Sequence, residues 1–256
     1  MIRLPIFMYH HVSEPLGLSV KGMQVSPNEF EQQMSFLFQK GYRCLSLPDV
    51  IVNFQEGKPQ PERSFVLTFD DGYFDIYKNA FPVLKKFGFS ATVFVVVKPV
   101  EDGVPGYLSW QQMRELTQNQ FTFGSHTLTH PRLPSLDTKT IGRELDESKK
   151  VIEDRLGGPV DLLAYPYGES NEDIQDMAYK TGYHAACGVT LGYWGPFNLW
   201  RVPINEHENS LTFYWKASGR YHAYTSLIVE TYIGSKLRAF KRHIRGKTPR
   251  PFLQEQ

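Results

Sequence analysis

Two groups of polar residues have the types and spacing that metal-assisted chemistry needs. The first is the pair Asp70-Asp71, which ends the apolar run FVLTF and is followed by Gly72. The second is His126 and His130, four residues apart in SHTLTH. Two adjacent carboxylates at the end of a buried strand are costly unless a cation is present. Taken alone, the Asp70-Asp71 pair also fits a solvated turn. The two histidines, taken alone, also fit a pair of surface or capping residues.

Taken together, the two groups predict a catalytic metal site. Two imidazoles and one carboxylate form a facial ligand set suited to Zn²⁺, and Co²⁺ or Ni²⁺ would satisfy the same ligands. Such a set leaves coordination positions open for water, whereas structural zinc sites usually take all four ligands from the protein. A catalytic role is therefore expected for the metal.

Strands and helices alternate along the chain. Apolar runs predict strands at PIFMY, YRCLSL, FVLTF, ATVFVVV, FTFGS, LLAYP, HAACGV and WRVPI. Amphipathic patterns predict helices at SPNEFEQQMSFLFQKG, DIYKNAFPVLKKFG, DTKTIGRELDESKKVIEDRLGG and NEDIQDMAYKTGY. Ser26, Pro27 and Glu29 predict a capped start for the first helix, and Pro82 is expected to shorten or bend the second.

This alternation predicts a mostly parallel sheet covered by helices. About eight strands favour a single-domain, distorted (β/α)7–8 barrel, with an open doubly wound sheet as the alternative. In either fold, functional residues gather at the carboxyl ends of the strands. Four polar groups follow that rule, namely His10-His11, Asp70-Asp71, His126 and the segment 165–168 (YPYG).

Composition and charge limit the partners. The chain has 256 residues, 41% of them hydrophobic, and a formal net charge of +1, which supports a buried core and gives no case for nucleic acid binding. No apolar stretch reaches the ~18 residues of a membrane span, and the N-terminal run is too short for a signal sequence. A cytoplasmic location, or one at the cytoplasmic face of the membrane, is expected. The sequence indicates no oligomeric state.

The C-terminal segment has a different charge pattern. Residues 236–250 (KLRAFKRHIRGKTPR) include seven Lys or Arg and no acid. We expect a catalytic domain over residues 1–235 and a basic helix or tail over 236–256. A solvated tail is the simpler interpretation, and the alternative is contact with an anionic membrane surface or a phosphate-bearing, lipid-linked glycan.

Three motifs, in this order, resemble the NodB-like polysaccharide deacetylases of carbohydrate esterase family 4. They are TFDDG (68–72), SHTLTH (125–130) and AYPYG (164–168). The resemblance extends over residues 4–205, includes MYHHV, TVFV, LSW and RELDESKKVIEDRLG, and is nearest to the branch of poly-N-acetylglucosamine deacetylases. It implies removal of N-acetyl groups from an amino sugar in a polysaccharide or lipid-linked glycan, with release of acetate. Two alternatives are hydrolysis of a cyclic amide or imide on the same fold and a non-catalytic carbohydrate-binding module.

The resemblance also implies a role for each matching residue. Asp70 matches the catalytic base. Asp71, His126 and His130 match the ligands of a divalent metal. The backbone N–H of Tyr167 matches the donor that stabilises the oxyanion.

Three further residues are expected to bind the substrate, namely Trp110, Tyr165 and Pro166. Trp110 resembles a wall of the sugar-binding groove, and a core tryptophan is an equal alternative.

The sequence departs from the family at two places. Ala164 stands where members commonly have an Arg that orients the catalytic Asp, so Arg201 in NLWRVPI is a candidate replacement, with a surface strand arginine as the alternative. The usual late Leu-His motif, which supplies a general acid, is also not evident. The opening IFMYH has the same form, and the first and last strands of a closed barrel are neighbours. We therefore predict His10 as the acid, with His207 as the alternative, and expect His11 to point the other way.

Overall fold

The computed structural model describes residues 4–14, 22–189, 194–206 and 208–221. The strands are β1 (Ile6–Tyr9), β2 (His11–Val12), β3 (Gln24–Val25), β4 (Arg43–Cys44), β5 (Ser64–Phe69), β6 (Ala91–Val95), β7 (Phe121–Ser125), β8 (Leu162–Ala164), β9 (Ala185–Gly188), β10 (Trp194–Gly195), β11 (Asn198–Trp200) and β12 (Val202–Pro203). The α-helices are α1 (Pro27–Gln39), α2 (Leu47–Gln55), α3 (Phe81–Phe87), α4 (Val97–Glu101), α5 (Trp110–Thr117), α6 (Thr138–Leu156), α7 (Glu172–Lys180) and α8 (Ser210–Ala217). His207 and the basic segment 236–250 lie outside the described residues.

The main sheet closes on itself to form a barrel. Its strand order is β10-β11-β9-β8-β7-β6-β5-β1-β12, with β4 paired to the start of β5. Every pair in this sheet is parallel except β10 with β11. Only Arg201 separates β11 from β12, so the chain segment 198–203 pairs with β9 in its first half and with β1 in its second. The predicted, nearly closed (β/α) barrel is therefore confirmed over the open sheet.

Strand alternation divides the core into an interior and an outer layer. The interior cluster contains Ile6, Val66, Phe94, Leu162, Ala164, Ala185, Cys187 and Leu199, together with Leu47, Val50 and Ile51 of α2. A larger cluster lies between the strands and the other helices. Because side chains alternate along a strand, the interior rows that begin at Ile6 and Val66 continue to His10 and Asp70 at the carboxyl end. The barrel thus directs these polar side chains toward one mouth.

The helices predicted from the sequence are present. Ser26 and Glu29 form a capping box at the start of α1. The second predicted helix is interrupted, because a π-helical turn over Ile76–Ala80 precedes α3 and Pro82 stands in the first turn of that helix. Proline has no N–H to donate, which explains why the regular helix starts anew there. None of the helices in the described part of the chain is both long enough and apolar enough to span a bilayer.

Candidate active site and metal centre

Asp70 and Asp71 follow β5 and face different neighbours. The backbone N–H of Asp70 donates to the Tyr9 carbonyl at 3.0 Å, so Asp70 still follows the path of the strand. Asp71 has a φ of 70°, in the left-handed region that residues with a side chain rarely adopt. The chain therefore turns between the two residues. One carboxylate stays in the barrel interior, and the other faces the histidines.

Arg201 pairs with Asp70 inside the barrel. Its Nη1 donates to Oδ1 at 2.5 Å and its Nη2 to Oδ2 at 2.7 Å, while Nη1 also lies 3.3 Å from the Thr68 hydroxyl. Burial acts to raise the pKa of Asp70, but the Arg201 and His126 charges outweigh it and hold this pKa well below its usual range. The alternative of a surface arginine is excluded, because the Arg201 side chain is only 1% exposed.

The break between β11 and β12 explains how Arg201 reaches this place. Ala164 ends β8, whereas Arg201 lies two strand positions away around the barrel, beyond β9. Ala164 is fully buried in the interior cluster, so both positions face the same enclosed space. The contact expected of an arginine at position 164 is thus made from another strand.

Asp71, His126 and His130 form a group that can hold a metal ion. Asp71 Oδ1 lies 3.6 Å from Nε2 of His126 and 3.6 Å from Nε2 of His130, and one ligand atom from each residue lies within 4.8 Å of the others. Atoms bound about 2.0–2.2 Å from a tetrahedral ion are about 3.3–3.6 Å apart, so the two distances from Asp71 suit a shared ion. The Nδ1 of His126 donates to the Ala164 carbonyl at 2.7 Å, which leaves its Nε2 available as a ligand.

The two histidines are held in different ways. His126 extends β7, and its N–H donates to the Val95 carbonyl at 2.8 Å. His130 lies beyond the strand in a turn, with a φ of 62°, and its N–H donates to the Thr127 hydroxyl at 3.1 Å. Its ring lies between those of His126 and Tyr167, with centroids 4.7 and 4.8 Å away. Burial and the nearby His126 charge lower the pKa of His130.

His10 and His11 point in opposite directions, as alternation predicts. Nε2 of His10 lies 4.0 Å from Oδ2 of Asp70, and its side chain is 19% exposed at the mouth of the site. Burial lowers the pKa of His10 although the two neighbouring aspartates act to raise it. Nδ1 of His11 lies 2.6 Å from Asp75, and its ring stacks on Tyr73 at 3.8 Å. His11 therefore belongs to the packing beside the site.

A tight turn places the Tyr167 ring beside His130. A 3₁₀ turn covers Pro166–Gly168, in which the N–H groups of Gly168 and Glu169 donate to the carbonyls of Tyr165 and Pro166. Tyr167 has a φ of 58°, and its ring is covered by the Arg132 guanidinium at 4.2 Å. Arg132 also pairs with Glu169, which ties this turn to the segment after His130.

The residues expected to contact substrate lie mainly in the packing around the site. Tyr165 is fully buried, because Ala164 faces the interior and the next residue must face the outer layer, and its hydroxyl donates to the Phe197 carbonyl at 3.1 Å. Pro166 is also buried and begins the 3₁₀ turn. Trp110 is half-buried against the outer core, and its indole N–H donates to Glu101 at 2.7 Å, which favours the core alternative.

Two polar residues beside the site were missed by sequence reasoning. Thr68 donates its hydroxyl to the Phe7 carbonyl at 2.8 Å and also lies against Arg201. Glu144 of α6 accepts hydrogen bonds from the turn that carries His130. In each case a polar residue interrupts a buried row, within FVLTF or on the inner face of α6, and that interruption is the signal that could have found it.

Comparisons with known proteins agree with this geometry. The polysaccharide deacetylase family model matches residues 57–186, about half of the chain. The Bacillus subtilis protein YxkH, whose name places it among polysaccharide deacetylases, is 36% identical over 188 residues, covering 73% of this chain and 64% of that protein. The poly-β-1,6-N-acetyl-D-glucosamine N-deacetylase of Staphylococcus aureus is 29% identical over 175 residues, covering 64% of this chain and 60% of that protein. This chain thus spans less than two thirds of the length of both relatives.

A solved structure shares the barrel. The Streptococcus pyogenes deacetylase PplD, in complex with acetate, superposes with a TM-score of 0.76 and 26% sequence identity, covering 84% of this chain and 97% of that one. The family match includes Asp70, Asp71, His126 and His130, whereas His10 and Arg201 lie outside its range. The motifs, the barrel and these similarities together show that the chain belongs to the polysaccharide deacetylase family.

Proposed function

We propose that this chain is a metal-dependent hydrolase that removes N-acetyl groups from an amino sugar in a polysaccharide or lipid-linked glycan. The observation that carries the proposal is the meeting of the Asp70–Arg201 pair with the group Asp71, His126 and His130 at one mouth of the barrel. The S. aureus relative is named for an N-acetylglucosamine polymer, and PplD was solved with acetate, the product expected here. Both support an N-acetylated glycan as the substrate class.

Asp71, His126 and His130 would hold a divalent cation, for which we propose Zn²⁺, with Co²⁺ and Ni²⁺ as alternatives that suit the same donors. When bound, such a cation polarises the acetyl carbonyl and lowers the pKa of a water molecule at the site. His126 keeps its Nε2 directed at the site through the hydrogen bond from its Nδ1 to the Ala164 carbonyl.

Asp70 acts as the general base that takes a proton from the attacking water. Its lowered pKa keeps the carboxylate ionised at neutral pH. Arg201 holds both carboxylate oxygens, and Oδ2 faces the mouth, 3.9 Å from Nε2 of His126 and 4.0 Å from Nε2 of His10. Oδ2 is therefore the oxygen placed to receive the proton.

The remaining steps use Tyr167 and His10. As the water oxygen bonds to the acetyl carbon, the backbone N–H of Tyr167 donates to the developing oxyanion, an interaction worth about 3–4 kcal/mol in other hydrolases. Protonated His10 then donates to the sugar nitrogen, because an amide nitrogen leaves poorly without a proton. The C–N bond breaks, and acetate and the free amino sugar are released.

The test is acetate release from N-acetylglucosamine oligosaccharides by the Zn²⁺-loaded protein. We expect release by the wild type and none by Asp70→Asn, which removes the base while keeping the metal group. Asp102→Asn is the matched control, since this exposed carboxylate pairs with Lys98. No release by the metal-loaded wild type would refute the proposal, and so would full activity in Asp70→Asn.

Two results would point to the other functions. Ring opening of small cyclic amides or imides without acetate release would favour hydrolysis of that class. Binding of metal and sugar with no turnover of either kind would indicate a carbohydrate-binding module.

We also propose that the basic segment 236–250 contacts an anionic surface, with its seven Lys or Arg as the support. Sedimentation with anionic liposomes at low and high salt, using the full chain and a chain ending at residue 235, tests this. Equal sedimentation of the two chains would refute it. The domain division at residue 235 stays a prediction.

A further inference from the structure

We propose that Glu144 is a positioning residue for the metal group, which fixes the turn that carries His130 and thereby sets the affinity for a divalent cation. The inference rests on the proposed function and extends it to a side chain of α6 that faces the turn and lies outside the ligand set. Glu144 is 7% exposed, although an unpaired buried carboxylate is costly. The hydrogen bonds that the Glu144 carboxylate accepts explain why this cost is tolerated.

His130 depends on its backbone for its position. His126 is fixed by the path of β7 and by the hydrogen bond from its ring to the Ala164 carbonyl. Within the described part of the chain, no hydrogen bond reaches the His130 imidazole. The place of its Nε2, 3.6 Å from Asp71, therefore depends on the conformation of residues 127–130 and on ring packing against His126 and Tyr167.

Glu144 holds the middle of that turn through three hydrogen bonds. Its Oε2 accepts the backbone N–H groups of Leu128 and Thr129, both at 2.9 Å, and its Oε1 accepts the Thr129 hydroxyl at 2.7 Å. Bonds to an ionised carboxylate are about twice as strong as neutral ones. All three donors lie between the two histidines in the chain.

The other side of the turn is held by α4. The N–H groups of Val97 and Lys98 donate to the carbonyls of Thr127 and Leu128, at 3.2 and 2.8 Å. The turn is thus clamped between α4 and α6. Glu144 supplies the clamp from the α6 side.

The backbone of the turn needs such a clamp. Thr127 and His130 have φ values of 69° and 62°, in the left-handed region. For residues with a side chain this conformation is unfavourable, and it persists only where the surroundings fix it. Without Glu144, the turn would relax toward ordinary backbone angles. His130 would then leave the position that the other two ligands require.

The experiment is a Zn²⁺ titration of metal-free protein in competition with a chromophoric chelator. We expect Glu144→Ala to raise the Kd about 10–100-fold, the range found when outer partners of metal ligands are removed. Acetate release by this variant should recover as Zn²⁺ reaches saturation. Glu153→Ala is the matched control, because Glu153 lies on the same helix and accepts the Val160 N–H at 3.0 Å, far from the turn. Its Kd should be unchanged.

Glu144→Gln covers the case in which the alanine variant does not fold, as judged by circular dichroism. The amide oxygen still accepts an N–H but carries no charge, so a smaller rise in Kd is expected. The inference would be overturned, with the proposed function left intact, if the folded Glu144 variants bound Zn²⁺ with the wild-type Kd and lost thermal stability only as Glu153→Ala does. A wild-type chain that binds no divalent cation would overturn it together with the proposed function.

Discussion

Replacing Arg201 by Met should impair both the stability and the chemistry of this barrel. The two side chains of the Asp70–Arg201 pair are 3% and 1% exposed and share two hydrogen bonds, so little solvent screens their charges. Removing one partner of such a buried pair costs about 3–5 kcal/mol, because the other charge is left uncompensated. We therefore expect the free energy of unfolding of Arg201→Met to fall by about that amount at pH 7.

The loss of stability in Arg201→Met depends on pH, in a direction fixed by the pKa of Asp70. Because this pKa is lowered in the folded wild type, the pair contributes stability above the unfolded value of 3.8, and the contribution is lost as the pH falls through the folded value. In Arg201→Met the largest charge that lowers the Asp70 pKa is gone, so burial shifts this pKa upward relative to the wild type. Because a higher pKa leaves less of the base ionised and the carboxylate loses both hydrogen bonds, we expect kcat/KM to fall at pH 7 and to recover in part as the pH rises.

The assays are urea unfolding and acetate release with saturating Zn²⁺. Arg143→Met is the control, since Arg143 pairs with Glu147 on the exposed face of α6, and neither readout should change. Adding Asp70→Asn to Arg201→Met removes both charges, so the double variant should be more stable than Arg201→Met alone and still inactive. Wild-type stability and wild-type kcat/KM in Arg201→Met would refute the reasoning.

Three further predictions concern other parts of the site. Burial lowers the pKa of His10, so the metal-free wild type should lose stability as the pH falls below about 6.5. His10→Asn should flatten that part of the curve of Tm against pH. Identical curves for wild type and variant would contradict this role of His10. A Cβ at Gly168 would clash with a methyl group of Val189, so Gly168→Ala should lower both Tm and kcat. Gly157→Ala, with a similar φ and open space, should lower only Tm slightly. Equal effects of the two variants on kcat would contradict a role of the Pro166–Gly168 turn in the reaction. A chelator should abolish acetate release and Zn²⁺ should restore it, and activity that persists after verified metal removal would contradict the metal requirement.

The interior rows of the barrel were predictable from local pattern. Strands such as FVLTF end in polar residues, and parallel strands deliver their carboxyl ends to one mouth. His10, Asp70 and His126 were therefore expected to meet, and they do. Arg201 was expected only as a candidate, because it lies in the later predicted strand WRVPI, and a surface arginine was the alternative.

The features of the site that local pattern did not predict depend on distant contacts and on burial. Tyr165 was expected to face substrate from its motif, but the alternation that directs Ala164 inward directs Tyr165 into the outer core. Glu144 acts across 16 residues on a turn, and helical periodicity alone predicts its buried face without predicting its partner. The left-handed angles of Asp71, Thr127 and His130 carry no composition cue, because none of these positions holds a glycine.

The interrupted strand 198–203 has a consequence for the order in which the residues of the site become available during synthesis. Asp70 and Arg201 are 131 residues apart, and the arginine lies between β11 and β12, the last two strands along the described part of the chain. A nascent chain that has emerged only to residue 186 already contains every residue of the family match, including the metal group. It still lacks the guanidinium that pairs with Asp70. The proposed base therefore gains its partner only when this segment pairs with β9 and β1, and we expect no acetate release from a chain that ends at residue 186.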